Sequence, residues 1–338
     1  MKNRSWRLRS YPVGMPTEAD WELFEAPLPH PDEGEVLARA IYLDVAPYMR
    51  GRISPQQNYA EGVVPGQLMV GGGVAEILES RHPDCRPGEL IVTDFSFGWQ
   101  EYATLRPASF RKIPGNFAPL PYWLDAFGIN GLTAYFSLFE AARLKPGEQV
   151  AISAAAGSVG QIAGQLTKIA GAHGLAFTSS SEKARSCLES GYEQVINYRT
   201  EASLNAAVSA CCPNGIDVFI DNTAGSIHDA VMCNLAPHAR VIVVGTASLA
   251  ENFEQPDLGA RFLRQILVRR ATLKGFLYLD YQSQHEKARE RLIGWYESGS
   301  LRSRFDIAEG IESMPNAFIR LLRSENLGKQ IVQVRSES

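Results

Sequence analysis

Cysteine is scarce in this chain: five in 338 residues, Cys85, Cys187, Cys211, Cys212 and Cys233, with no Cys-x-x-Cys spacing. An odd, unpatterned set argues against both a disulfide framework and a four-thiolate zinc cluster. Cys211 and Cys212 fall at the end of a predicted helix, where idle thiols are expected rather than redox chemistry. Long apolar runs are also missing. No stretch approaches the roughly 20 residues of a membrane span, and the start, Met1-Lys-Asn-Arg-Ser-Trp-Arg7, has no apolar signal core. Charge of one sign is not blocked together either. A dispersed net charge of −4 gives no electrostatic reason for a nucleic-acid or membrane partner, and pairs such as Arg269-Arg270 read as solvated faces. The expectation is a soluble, cytoplasmic chain of ordinary composition, 45% hydrophobic and 21% charged, long enough for two domains.

The two halves differ in texture. Short β-branched or aromatic runs at 21–25, 35–44, 74–79, 90–94 and 100–105 are punctuated by Pro29-His-Pro-Asp-Glu-Gly34, Gly71-Gly-Gly73 and Arg86-Pro-Gly88. This half reads as mostly β and barrel-like. From Asp125 the pattern turns helical over 126–142, and strands are then predicted at 150–153, 175–178, 194–197, 216–220, 240–244 and 272–276. Amphipathic segments at 182–189, 203–210 and 227–235 separate several of them. Six strands with crossovers predict a doubly wound parallel sheet in an α/β fold. After a helix at 284–298, the β-like tail 328–334 has no parallel sheet left to join and is expected to return to the first domain.

The stretch from Val150 to Gly164 reads as strand, glycine loop and helix. Within it Ala155-x-Gly157-x-x-Gly160 is a dinucleotide fingerprint with alanine in the first glycine's place. Gly157 lets backbone approach a pyrophosphate, Gly160 lets the helix pack on its strand, and the first turn at Ser158, Val159 and Gly160 offers free N–H groups. Small residues at such turns are common, so the weight comes from context. At the end of the next strand stands Phe177-Thr178-Ser179-Ser180-Ser181-Glu182-Lys183, with no acid at the strand end to receive a ribose 2′-hydroxyl. Hydroxyls with Lys183 suit the 2′-phosphate of NADP(H). The competing reading is a hydroxyl-rich helix cap followed by a surface lysine.

Taken with Pro47-Tyr-Met-Arg-Gly-Arg52, Gly131-Leu-Thr-Ala-Tyr135, Ala154-Ala-Ala-Gly-Ser-Val-Gly160, Ser181-Glu-Lys183, Asn197-Tyr198, Gly215-Ile-Asp217, Asp221-Asn222, Lys274-Gly-Phe276 and Asn326-Leu-Gly-Lys329, the chain resembles the zinc-independent medium-chain dehydrogenases/reductases. The likeness is to the branch of prostaglandin, alkenal, curcumin and plant double-bond reductases, and it runs nearly the whole length. It implies a GroES-like β-rich catalytic domain from residues 1–124 and 305–338, and a Rossmann NADP(H)-binding domain over 125–304. It assigns Lys183 and Tyr198, with Ser180 assisting, to the 2′-phosphate. It further assigns Asn222 to the ribose or nicotinamide end, Asn326 to the pyrophosphate region, and Gly245 and Phe276 to the nicotinamide. As plain structure, Asn222 and Gly245 would close turns and Tyr198 would be a half-buried loop aromatic. A homodimer is implied by the likeness alone.

Zinc chemistry is not expected. The place of a Gly-His-Glu motif reads Pro65-Gly66-Gln67, and His82, His173, His228, His238 and His285 fall in loops or on helix faces. Without a Lewis acid, a conjugated carbonyl remains reducible: hydride adds to the β-carbon, charge develops on the oxygen as an enolate, and a proton adds at the α-carbon. Tyr48 is the candidate donor to that oxygen, and a wet, packed phenol is the alternative. Where relatives place Asp before Pro-Tyr this chain has Ala46, with Asp44 two residues upstream. The tyrosine that relatives carry after the fifth nucleotide-domain strand is missing from 245–252. Tyr278 and Tyr281 are candidate pocket walls, and Arg50 and Arg52 candidate contacts for an acidic substrate tail. The expected activity is NADPH-dependent reduction of enones or enals. A quinone reductase, or a cofactor-binding protein with little catalysis, are the rivals.

Overall fold

The computed structural model describes residues 2–56, 58–115 and 117–337. Two compact units divide the chain: Met1–Leu124 with Ala250–Gln255 and Phe305–Ser338, and Asp125–Leu249 with Pro256–Arg304.

The first unit opens with β1 (Lys2–Leu8), paired antiparallel to β2 (Trp21–Pro27). No apolar alternation announces β1 because its inward places are taken by Asn3 and Ser5, both buried. Asn3 satisfies itself against Tyr102: its Nδ2 donates to the Tyr102 carbonyl at 2.9 Å and its Oδ1 accepts from Tyr102 N–H at 3.0 Å. There follow β3 (Val36–Asp44), the short helix α1 (Met49–Arg52), β4 (Gly73–Ser80), β5 (Leu90–Thr93), β6 (Tyr102–Leu105) and β7 (Arg111–Lys112). The long β3 is the hub, antiparallel to both β4 and β6. Its alternation buries Val36, Ala38, Ala40 and Leu43 in one cluster with Trp21, Phe97, Trp99 and Phe318. The indoles of Trp21 and Trp99 lie 5.7 Å apart, and Phe318 meets each edge-on at 5.9 Å.

The second unit starts at α2 (Ile129–Tyr135), three residues later than expected, and the chain continues as a π-helix over Phe136–Ala141. It then alternates β8 (Gln149–Ile152), α3 (Ser158–Ile169), β9 (His173–Thr178), α4 (Ser181–Glu189), β10 (Gln194–Asn197), α5 (Leu204–Cys211), β11 (Ile216–Asp221), α6 (Gly225–Met232), β12 (Leu235–Val243), α7 (Leu263–Arg269), β13 (Thr272–Gly275) and α8 (His285–Glu297). All six strands are parallel neighbours in the order β10-β9-β8-β11-β12-β13. The expected doubly wound sheet is thus present, with its direction of winding reversing beside β8, where such sheets bind ligands at the strand carboxyl ends. The helix expected over 227–235 instead begins at Gly225 and stops at Met232, because Leu235 already opens β12.

The chain returns to the first unit as β14 (Phe305–Glu309), α9 (Met314–Leu322) and β15 (Lys329–Gln333). Strand β15 lies between β14, to which it is parallel, and β3, to which it is antiparallel. The expected nucleotide domain, 125–304, differs from the observed second unit at Ala250–Gln255, which belongs to the first. Arg50 is the reason: its Nε donates to Ala250 O at 2.9 Å, its Nη2 reaches Glu254 Oε2 at 3.0 Å, and its guanidinium lies 5.0 Å from the Phe253 ring centre.

Candidate functional site

Strand β8 ends in a tight turn whose Ala154 has a φ of +50°, and Gly157 then caps α3 without contributing any side-chain cap. The N–H groups of Ser158, Val159 and Gly160 in this first turn have no acceptor within the helix, and the helix dipole adds positive charge at the same place. The two glycines have different reasons to be glycine. A Cβ on Gly160 would stand 2.4 Å from Ala154 O and 2.5 Å from Ala155 Cα, so only glycine lets the helix start this close to the strand. A Cβ on Gly157 would meet only Ala154 O, at 3.2 Å, and its φ of −82° suits any residue. What remains to explain Gly157 is the approach of a ligand from outside, which fits a pyrophosphate at a helix start. Ala155 is buried beneath the loop.

The residues assigned to the 2′-phosphate gather at the carboxyl ends of β9 and β10. Ser180 is the N-cap of α4, and its Oγ accepts from Lys183 N–H at 3.2 Å. Its hydroxyl proton stays available to an anion, so cap and binding readings are compatible. Lys183 is half-buried on the first turn of α4, whereas Glu182 beside it is exposed. Tyr198 follows β10, half-buried, with its N–H bonded to Thr178 O at 3.0 Å. One cation, a phenol and serine hydroxyls stand at two adjacent strand ends, with Glu182 exposed beside them, a combination whose chemistry suits a dianionic phosphate.

Across the reversal point, β11 ends at Asp221, which is 1% exposed. Its Oδ1 accepts from Ser153 Oγ at 3.0 Å and from the N–H groups of Thr223 and Ala224 at 3.0 and 2.9 Å. Its Oδ2 lies 2.8 Å from His228 Nδ1. That bond, opposed by partial burial, raises the His228 pKa above the ordinary histidine value. Asn222 is held by its own Nδ2, which donates to Ser153 O at 2.8 Å, leaving its Oδ1 and one amide proton for other contacts. Gly245 N–H donates to Asp221 O at 3.1 Å, and a Cβ on Gly245 would meet Asn222 O at 3.0 Å. In the sequence Asp221-Asn222 stands as a pair in which the resemblance assigns a role only to Asn222; nothing local announces the link of Asp221 to His228 and Ser153, which is spatial.

Phe276 follows β13, buried, with its N–H bonded to Val243 O at 3.0 Å. Its ring stacks on Tyr281 at 5.8 Å, and Tyr281 in turn stacks on Phe136 at 4.8 Å. Tyr278 is buried and stacks on His285 at 5.2 Å. Both tyrosines are therefore fixed by neighbouring rings.

The first unit carries the remaining candidates. Strand β3 ends at Asp44, buried against Lys329 Nζ, which also donates to Val45 O at 2.9 Å. Burial pushes the Asp44 carboxyl upward, against the pull of Lys329. Asp44 is thus a buried ion-pair partner of Lys329. From this anchor the chain turns through Ala46 and Pro47 to Tyr48, the N-cap of α1, half-buried and edge-on to Phe95 at 5.3 Å. Asn326 is buried, with its Nδ2 donating to Gly328 O at 2.8 Å inside its own turn. Arg50, expected as a contact for a substrate tail, is 2% exposed: its Nε donates to Ala250 O and its Nη2 to Glu254 and Gly14 O, while its Nη1 is buried without a hydrogen-bond partner among the described residues. A loop arginine looks solvated in sequence; this one is drawn inward by backbone carbonyls that need a donor. Arg52 is half-buried at the end of α1.

Among the described residues, no group of three or more His, Cys, Asp or Glu is arranged to hold a metal. The family described as "N-terminal domain of oxidoreductase" matches residues 4–113, and the one described as "Zinc-binding dehydrogenase" matches residues 158–294. The second match runs from the start of α3 into α8. The chain is 35% identical to the 2-alkenal reductase (NADP(+)-dependent) of Nicotiana tabacum, over 100% of this chain and 99% of the relative. It is 33% identical to the NADPH-dependent curcumin reductase of Escherichia coli, over 99% and 98%. The crystal structure of CurA from Vibrio vulnificus in complex with NADPH superposes with a TM-score of 0.92 at 32% identity, covering 99% of this chain and 100% of that one. With this fold and these likenesses over nearly its whole length, the chain belongs to the NADP-dependent, zinc-independent branch of the medium-chain dehydrogenases/reductases.

Proposed function

We propose that the protein reduces the C=C bond of α,β-unsaturated ketones or aldehydes at the expense of NADPH. The observation that carries this reading is the likeness, over essentially the full chain, to enzymes named for an alkenal and for curcumin. Ser158, Val159 and Gly160 bind the pyrophosphate through their N–H groups, and Ser180, Lys183 and Tyr198 hold the 2′-phosphate. Asn222, Gly245 and Phe276 shape the nicotinamide half, with Asn326 serving the pyrophosphate. NADPH, when bound, supplies hydride to the β-carbon of the substrate. Tyr48 then donates a hydrogen bond to the carbonyl oxygen as it takes on enolate charge, which is where a fixed donor lowers the barrier. Tyr278 and Tyr281 wall the pocket.

A homodimer belongs to the same proposal. Among the described residues strand β13 has no neighbour on its outer side, and all four of its residues are exposed, whereas the faces of parallel sheets are ordinarily covered. Leu273 on it is 50% exposed, and Leu267 on α7 is 76% exposed. A second copy would cover them, and Leu267→Glu is expected to shift the sedimenting species from dimer to monomer. The function is tested by an NADPH-consumption screen over enals, enones, cinnamoyl-type ketones and quinones with product identification. A saturated carbonyl product is expected; turnover only with quinones, or binding without turnover, would refute the reading.

A further inference from the structure

The turn after β11 is tied more heavily than turn closure requires. Two backbone bonds to Asp221 Oδ1, from Thr223 and Ala224, would suffice for a turn. Asp221 makes two more, to Ser153 at the end of β8 and to His228 on α6, and so joins three elements. Ser153 Oγ, while donating to Asp221, accepts from Asn222 N–H at 2.7 Å. The turn then holds the segment after β12: Val244 and Gly245 N–H donate to Asp221 O at 2.8 and 3.1 Å, and Ala247 and Ser248 N–H donate to Asn222 O and Thr223 O at 3.2 and 3.0 Å. Ala224 sits at φ +60°, ψ −155°, a region close to glycine's own. Such a conformation persists only where surrounding bonds over-determine it, and it is commonest where a chain must be held in one functional shape. His228 is charged more readily than an ordinary histidine because Asp221 faces it, with Asp229 on the same helix and Asp257 adding to the effect. A carboxylate buried this deeply is costly unless each lone pair is engaged, and here both oxygens are.

We propose that Asp221 is a positioning residue for the nicotinamide half of NADP(H): anchored by His228 and Ser153, it holds Asn222 and Gly245 in place. It acts through these residues and through the turn rather than by contact with the cofactor. The inference rests on the functional reading above, which assigns Asn222 and Gly245 to that half.

The test compares two ligands on the purified full chain. NADPH spans both halves of the cofactor site; adenosine 2′,5′-bisphosphate reaches the end proposed for Ser180, Lys183 and Tyr198 and, with its 5′-phosphate, the loop at 158–160, but has no nicotinamide half. For Asp221→Asn the Kd for NADPH is expected to rise about tenfold while that for the bisphosphate stays within about twofold, the loss of one buried charge-assisted bond. Ser153→Ala, which leaves the carboxylate in place, is expected to show the same selectivity more weakly, and it decides the matter if Asp221→Asn fails to fold. Parallel weakening of both ligands would mean that the network merely maintains the fold; that, or unchanged NADPH affinity, would overturn the proposal. A wild-type chain that binds neither ligand would overturn the functional reading first, and this inference with it.

Discussion

Replacing Gly160 by alanine separates two jobs that the glycine loop performs. The added Cβ would lie 2.4 Å from Ala154 O, 2.5 Å from Ala155 Cα and 2.6 Å from Ala155 O, all backbone atoms of the turn beneath the helix. No rotamer relieves such a contact. To restore ordinary contact at 3.4 Å the start of α3 must retreat by about 1 Å, lifting Ile162 and Leu166 from a core in which both are fully buried. Overpacking of this kind costs about 2 kcal/mol, equivalent to roughly 4–8 °C in Tm for a unit of this size. The same retreat moves the N–H groups of Ser158 and Val159, so NADPH binding weakens as well. Gly157→Ala is the matched control. Its Cβ meets one atom at 3.2 Å, so Tm should stay near that of the wild type, while NADPH affinity is expected to fall if the proposed pyrophosphate approaches the backbone here. Differential scanning fluorimetry and fluorescence titration with NADPH read both quantities. A Gly160→Ala protein with unchanged Tm, or a Gly157→Ala protein with unchanged NADPH affinity, would refute the division of labour argued here.

Lys183→Ala is expected to raise the KM for NADPH about 10- to 100-fold, the loss of a charge-assisted bond to the 2′-phosphate, with little change for NADH; equal effects on both cofactors would count against the assignment. Tyr48→Phe should lower kcat on a true enone about a hundredfold, as for one lost oxyanion donor, while NADPH affinity stays the same, and full retention of kcat/KM would remove the role. The folded chain holds the His228 proton more tightly than the unfolded chain does. The stability from this pairing is therefore complete below the unfolded histidine pKa of about 6.5 and is lost as pH rises through the higher folded value. Tm measured between pH 6 and pH 8 should fall with pH, and His228→Gln should flatten that slope.

The centre of the second unit's sheet is legible because its strands are apolar, β-branched runs with a turn behind them, as in Val150-Ala-Ile152 and Val218-Phe-Ile220, both fully buried. The glycine loop was legible for the same reason: its chemistry is local. Harder to read were polar residues whose partners are distant in sequence. Asn3 and Ser5 hide β1 because they turn inward and the Asn3 amide bonds Tyr102. Arg50 finds its acceptors some 200 residues away, at Ala250 and Glu254. Lys329 closes the Asn326-Leu-Gly-Lys329 motif, but nothing in that motif announces that its ammonium is buried against Asp44. In each case burial was decided by a hydrogen-bond partner that no periodicity records.

The place of β15 has a consequence for how the protein is made. It is the last strand among the described residues, yet it lies inside its sheet, between β14 and the end of β3. During synthesis β3 leaves the ribosome long before residue 333 does. At about 5–20 residues per second the interval is roughly 15–60 s. Over that time Tyr42, Leu43 and Asp44 lack the strand that will pair with them, and Asp44 lacks the cation that will neutralise it in the core. The second unit, emerging meanwhile, can complete its own sheet from Val150 onward while the first waits. Nascent chains halted before Lys329 should therefore present an open strand edge, the kind of surface that chaperones hold and that pairs wrongly when they do not.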